Sequence, residues 1–262
     1  EVNFFLLLLA ASLYTFWLRF GPIVRNIRQS KKDADFRLNP IGRRALNWFW
    51  EVALQGKVIR ERPLAGLAHA FVFWGFCSFA LVSVDHLAAG LGWDVVPDFS
   101  LLGRFYFAYA AIFALLVMVS ITYLAIRRFI ARPWYFGKVS PESGFIAFLI
   151  FALMATYVLD YQNLVTEGTM PGRLVWWIHT LALLTFLPLI PHTKHLHLIL
   201  SPVTVFFRRG SFSQIPPLDG DEDFGLVSGK DMTQVASLQA YSCVECGRCT
   251  QHCPAANTGK EL

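Results

Sequence analysis

The sequence predicts an all-α membrane protein of five transmembrane helices followed by a small cytoplasmic cysteine-bearing domain, on three observations. Of 262 residues, 55% are hydrophobic and only 16% are charged, against roughly 25% charged in average soluble proteins. Five stretches with few or no charges lie between Leu6 and Leu200, each long enough to cross a hydrocarbon core of about 30 Å. Four of the five cysteines crowd between Cys243 and Cys253, beyond the last of these stretches.

The spans are expected at residues 3–24, 64–88, 102–126, 144–166 and 174–200, all rich in Leu, Phe, Ala, Ile and Val. Runs such as 105–125 and 145–159 are apolar on every face, whereas barrel strands alternate in polarity over segments of about ten residues. Span 1 leads into Arg19, Phe20, Gly21 and Pro22 without a small-residue cleavage pattern, which argues against a signal peptide and leaves an anchor as the reading. Between spans 1 and 2, Ala45 to Lys57 has an amphipathic pattern that suits either an interfacial helix or a packed loop helix. After span 5, the stretch from Arg208 to Lys230 is rich in Gly, Ser, Pro and Asp, a linker composition. The expected domains are therefore residues 1–205 in the membrane, a linker at 206–236, and the start of a separate domain at 237–262. The chain opens at Glu1 without Met and stops just past the cysteines, so it is expected to be part of a longer polypeptide.

Charge sets the orientation. The first connection, residues 25–62, holds ten Lys and Arg, and the third, 127–143, holds four, while the loops near 89–101 and 160–173 carry Asp94, Asp98, Asp160 and Glu167 with Arg173 at the edge. Cations are retained on the cytoplasmic side, which places the amino terminus outside and everything after span 5 in the cytoplasm, in a multi-pass protein of the inner (plasma) membrane. The net charge of +5 is then a topology signal; nucleic acid is not an expected partner, because the cations interleave with Trp48, Trp50, Trp134 and Tyr135 at membrane edges.

Cys243, Cys246, Cys249 and Cys253 form CVECGRCTQHCP, a CxxCxxCxxxC run followed by Pro254. Two-residue gaps let successive thiolates reach adjacent irons of a [4Fe–4S] cubane. Zinc is the alternative, although zinc ribbons pair two separated CxxC knuckles, and disulfides do not suit a reducing compartment. In two-cluster domains the fourth cysteine of such a run serves the other cluster. Either Cys253 closes a lone cluster, or a region beyond Leu262 supplies the rest and the full chain holds two. Cys77, mid-span, reads as a packing residue.

Ionisable groups inside a bilayer are functional by default. His69 and His86 lie seventeen residues apart in span 2, and His179 and His197 eighteen apart in span 5, which runs the opposite way. At ~1.5 Å per residue these separations are about 25 and 27 Å, so each depth receives one His from either helix. Two b haems with bis-histidine axial ligation follow: His69 with His197 inside, His86 with His179 outside. Spacing alone also admits His195 in place of His197, with His192 and His195 otherwise at the interface; Lys194 could meet a haem propionate or snorkel.

RERPLAGLAHAFVFWGF at 60–76, His179 with PHTKHLHLILSP at 191–202, and the cysteine run together resemble the membrane-bound iron–sulfur oxidoreductases related to heterodisulfide reductase, over nearly the whole chain. The amino-terminal half is similar to the gamma subunit of respiratory nitrate reductase. That pattern implies His179 and His197 as ligands in the last span, breaking the tie with His195, but where it has a second His ten residues after the first, this chain has Phe79. The best-defined relatives of this kind imply an electron-transfer-flavoprotein:menaquinone oxidoreductase, with a ferredoxin-like iron–sulfur domain, menaquinone, a cytoplasmic flavoprotein donor, membrane lipid and a possible larger respiratory complex as partners, and a second cysteine run further on. Two other classes remain: a non-catalytic cytochrome b and iron–sulfur anchor subunit, and a transporter with ion-binding histidines and a zinc domain. Asp85 and Asp160, near the outer span ends, are either proton carriers or solvated carboxylates.

Overall fold

The computed structural model describes residues 1–33, 36–136, 140–166, 168–208 and 229–259; most of the expected linker lies outside the described residues. Among those described, structure is helical, with a residue bridge between Lys31 and Thr233. Five helices are long and apolar enough to cross a membrane: α1 (Val2–Gln29), α4 (Pro63–Ala89), α5 (Leu101–Ile126), α6 (Pro141–Tyr161) and α7 (Met170–His192). Large apolar side chains such as Leu102 (80% exposed), Val119 (72%) and Phe148 (64%) point away from protein, as hydrocarbon solvent allows.

The chain divides into two compact units. The first comprises Glu1–Leu13, Val58–Pro188 and the described residues from Cys246 onward. Here α4 packs on α5 and α5 on α6 through small residues, as helices do where lipid supplies no hydrophobic drive. The buried face of α5 is Gly103, Ala110, Ala111, Ala114, Val117 and Ser120, and α4 comes so close that a Cβ on Gly75 would strike the Val117 side chain. Polar groups on these helices are satisfied locally: Ser78 and Thr156 hydroxyls donate to the carbonyls of Trp74 and Ala152 one turn back, Tyr106 donates to the Ser78 carbonyl at 2.5 Å, and Tyr157 donates to Phe107 at 2.9 Å.

Helix α7 reaches its neighbours mainly through side chains: Phe5 and Phe4 of α1 meet Trp176 and Trp177. Pro188 lacks the N–H that would satisfy the Leu184 carbonyl four residues back, and the buried Ser12 hydroxyl of α1 donates to that carbonyl at 2.7 Å.

The second unit comprises Tyr14–Lys57 and the described residues between Leu189 and Glu245. It contains α2 (Ile41–Trp48), a π-helical turn at Phe49–Ala53, α8 (His197–Phe207) and α9 (Gln234–Tyr241). Its core is Ile23, Leu196, Leu200 and Leu238. Arg44 donates to the carbonyls of Arg37, Leu38, Phe206 and Arg208, and Arg208 forks onto Glu51 at 2.8 and 3.0 Å. The amphipathic stretch expected at Ala45 to Lys57 is broken at Gln55, which has φ +54, before α3 (Gly56–Glu61) begins.

The fifth span departs from expectation. It is not one helix to residue 200: α7 ends at His192, Thr193 is extended with φ −131 and ψ 174, and a 3-10 turn at Lys194–Leu196 leads into α8. Pro191 removes one helical donor, and the Thr193 hydroxyl accepts from the His195 amide at 3.2 Å instead. His179 and His197 therefore belong to different helices, and a shared helical face does not relate them.

Candidate functional site

In the first unit, α4 presents His86 and α7 presents His179 with ring centroids 4.5 Å apart. His179 is 7% exposed and its neighbour Thr180 is fully buried. The Thr156 hydroxyl of α6 lies 2.7 Å from the Ala152 carbonyl and 2.8 Å from His179 Nδ1. When the hydroxyl hydrogen goes to the carbonyl, His179 donates from Nδ1 and its Nε2 lone pair is left for another partner. This is the arrangement of a metal-ligating histidine, whose second nitrogen is tied to a fixed acceptor. His86 Nε2 lies 2.8 Å from the Thr180 hydroxyl, and its ring stacks on Trp176 at 5.2 Å.

Phe79, ten residues beyond His69, is buried edge-on against Tyr157 at 4.8 Å. It is a packing residue, which leaves His86 as the outer histidine of α4. Asp85 is committed to structure: one of its oxygens accepts from the Val95 and Val96 amides at 3.0 and 2.9 Å, holding the loop that follows α4.

His69 lies on the first two turns of α4, in the first unit, and is half-buried. His197 belongs to the second unit, where its Nδ1 donates to the Lys194 carbonyl at 2.7 Å. A carbonyl only accepts, so His197 also has Nε2 unprotonated. His195, by contrast, contacts the Thr193 hydroxyl through Nδ1 at 3.2 Å, a partner that fixes no tautomer, and His192 is exposed. Lys194 pairs with Glu245 at 3.5 Å.

Cys243 and Cys246 lie in the loop before α10 (Arg248–His252), Cys249 lies within α10, and Cys253 precedes Pro254 at the start of α11 (Pro254–Asn257). Among the described residues no three His, Cys, Asp or Glu side chains converge as a metal site. The loop backbone has positive φ at Glu245 (+52) and Gly247 (+74), the alternation that turns successive amides toward one side, as in anion-binding nests.

Two curated proteins are similar to this chain. The EtfAB:quinone oxidoreductase of Syntrophomonas wolfei is 27% identical over 268 residues, covering 86% of this chain and 37% of that protein. The probable iron–sulfur-binding oxidoreductase FadF of Bacillus subtilis is 31% identical over 243 residues, covering 79% and 34%. The chain is thus similar, over most of its own length, to iron–sulfur oxidoreductases of the electron-transfer-flavoprotein:quinone type. It spans about a third of the length of these curated relatives. No family model and no solved structure matches it.

For an iron–sulfur oxidoreductase the donor sets fit. Four thiols in one run with amides turned by two positive-φ residues suit a sulfide-bridged anion, and His179 suits a ferric or ferrous iron through Nε2. Two metal–nitrogen bonds of about 2 Å plus the ring radii exceed 4.5 Å, so His86 and His179 would hold an iron between them only with the rings further apart and His86 Nε2 released from Thr180. Sequence reasoning missed Thr156, Thr180 and Trp176. The available signal was a hydroxyl residue within an otherwise apolar span.

Proposed function

We propose that this chain is the membrane electron-transfer part of a quinone-linked oxidoreductase that takes electrons from a cytoplasmic donor, an electron-transfer flavoprotein, and delivers them to menaquinone. The observation that carries the proposal is the pair His86 and His179, with ring centroids 4.5 Å apart and His179 Nδ1 held by the Thr156 hydroxyl among apolar helices long enough to span a membrane, joined to a cubane-type cysteine run in a relative of EtfAB:quinone oxidoreductase. When bound, a [4Fe–4S] cluster and two b haems supply one-electron carriers along the route. Cys243, Cys246, Cys249 and Cys253 hold the cluster; His69 with His197, and His86 with His179, hold the inner and outer haems. The residues Thr156 and, through its carbonyl, Lys194 keep His179 and His197 in the ligating tautomer. The amino terminus lies outside and the cysteine domain in the cytoplasm, on the strength of the cation-rich connections at 25–62 and 127–143.

The test is a reduced-minus-oxidised visible spectrum of the full-length protein, with haem and iron quantified. Two b haems with bis-histidine spectra, one lost in His179→Ala, support the reading; a colourless protein, or one retaining both haems without His69 and His179, ends it. The second reading is a non-catalytic cytochrome b and iron–sulfur anchor within a larger complex. Menaquinone turnover by the purified chain separates the two.

If the quinone is reduced beside His86 and His179, electrons cross the membrane outward, each worth about 2.3 kcal/mol per 100 mV of potential. Menaquinone reduction by inverted vesicles then changes when an uncoupler is added; an unchanged rate removes this coupling.

A further inference from the structure

The segment that bears the cysteines is clamped to the start of α4 by contacts that lie wholly within the first unit. Arg62, the residue before α4, donates to the Gln251 side chain of α10 at 2.5 Å. Its guanidinium stacks over the Tyr135 ring, 4.4 Å from the centroid, and the Tyr135 hydroxyl accepts from Arg127 at 2.8 Å. Gly247, at φ +74, lies so close to the Tyr135 carbonyl that a Cβ there would overlap it. Arg248 pairs with Glu61 at 2.5 Å. Three neighbours in the cysteine run, Gly247, Arg248 and Gln251, thus dock on three neighbouring features: Tyr135, Glu61 and Arg62.

His69 follows Arg62 by seven residues on the α4 side. Seven residues are about two turns, or roughly 10 Å of rise. Arg62 itself is outside the helix, with φ −145 and ψ 81, so what it shares with His69 is the amino-terminal end of α4: the residue that grips the cysteine segment stands within two turns of the histidine read as an inner haem ligand.

We propose that Arg62 is the positioning residue of electron entry: held over the Tyr135 ring, it fixes the cysteine segment at the end of α4 that carries His69 and so sets the distance across which an electron passes. The proposal rests on the cluster and haem assignments above. The transfer moves one electron from the reduced cluster, which is oxidised, to a ferric haem, which becomes ferrous; the flavoprotein donor re-reduces the cluster, and no bond forms or breaks. A planar fork both stacks on an aromatic ring and bonds an amide oxygen, whereas an ammonium does neither in the same geometry. Lysine is expected to be a poor substitute.

The experiment uses the full-length protein with Arg62→Leu, Arg62→Lys and Gly247→Ala, read in two ways. Hydrogen exchange of the amides at 247–253 is measured in each, and haem reduction is followed after rapid mixing with a reduced flavoprotein or a low-potential chemical reductant that enters at the cluster. Expected is exchange faster by about tenfold in Arg62→Leu and Gly247→Ala, with haem reduction slowed by at least about tenfold, the scale of a misplacement near 1 Å. In the two Arg62 variants haem content, iron content and midpoint potentials should match the parent, and Arg62→Lys should recover only part of either loss. Unaltered exchange and rate overturn the proposal, as does a slowed rate accompanied by shifted potentials. If Arg62→Leu does not accumulate, Gln251→Leu probes the same contact from the other side. A parent protein without haem defeats the functional reading instead, and the exchange measurement still decides whether Arg62 is the clamp.

Discussion

Two regions of the first unit hold chemically demanding side chains by opposite means. At the outer histidines, the neutral hydroxyls of Thr156 and Thr180 and the Trp176 ring fix the imidazoles inside the bundle, with no formal charge among these contacts. At the cysteine segment, guanidinium groups make side-chain contacts at the surface: Arg62 donates to the Gln251 side chain, and Arg248 of the segment pairs with Glu61, with both members of the ion pair partly exposed. Neutral hydrogen bonds in a low-dielectric interior are strong and indifferent to ionic strength, whereas exposed ion pairs are screened by salt and contribute little each. The first region is built to hold one geometry; the second is built so that a soluble segment can dock.

The contrast can be broken at four points, in falling order of effect. The largest change is expected from His179→Ala, which removes the donor without altering the Arg62 clamp: the outer haem is lost outright by pyridine haemochrome assay, while exchange protection at 247–253 persists. Thr156→Val frees the Nδ1 proton of His179; loss of such a supporting partner typically costs 10–100-fold in metal affinity, read here as haem dissociating on dilution into apo-acceptor protein. Ser12→Ala leaves the Leu184 carbonyl without its donor, a destabilisation of about 1 kcal/mol, seen as a lowered thermal midpoint with the haem spectrum unchanged. Smallest is Arg248→Ala, expected below about 1 kcal/mol for a partly exposed pair and mimicked by high salt in the wild type; a salt-independent effect would show that the pair is better sheltered than its exposure implies.

Hydropathy made the bundle legible because a span has to be apolar over its whole length. Predicted residues 64–88 and 102–126 correspond to Pro63–Ala89 and Leu101–Ile126 within a residue at each end. The end of the fifth span was not legible, since Leu, Ile and Pro continue past Thr193 and hydropathy is blind to a backbone that turns without leaving apolar surroundings. His86 and His179 could be placed at one level from their positions in spans 2 and 5, and their rings do lie together. Their threonine partners could not, because Thr156 meets His179 only after α6 and α7 are brought together, and no local spacing encodes that approach. The cysteine run announced its chemistry through spacing, yet its dock on Tyr135 and Arg62 depends on contacts more than a hundred residues apart in sequence.

The bond from Ser12 to Leu184 carries a consequence for how the protein is made. Among the five described spans the donor lies on the first to leave the ribosome and the acceptor on the last, so the Ser12–Leu184 bond cannot form until α7 has been made. Spans α4 to α6 can be inserted and paired without α1, but biogenesis is completed by a late clasp between the two ends of the bundle, and a nascent chain arrested before Leu184 should leave α1 accessible to crosslinking with lipid or the insertion machinery.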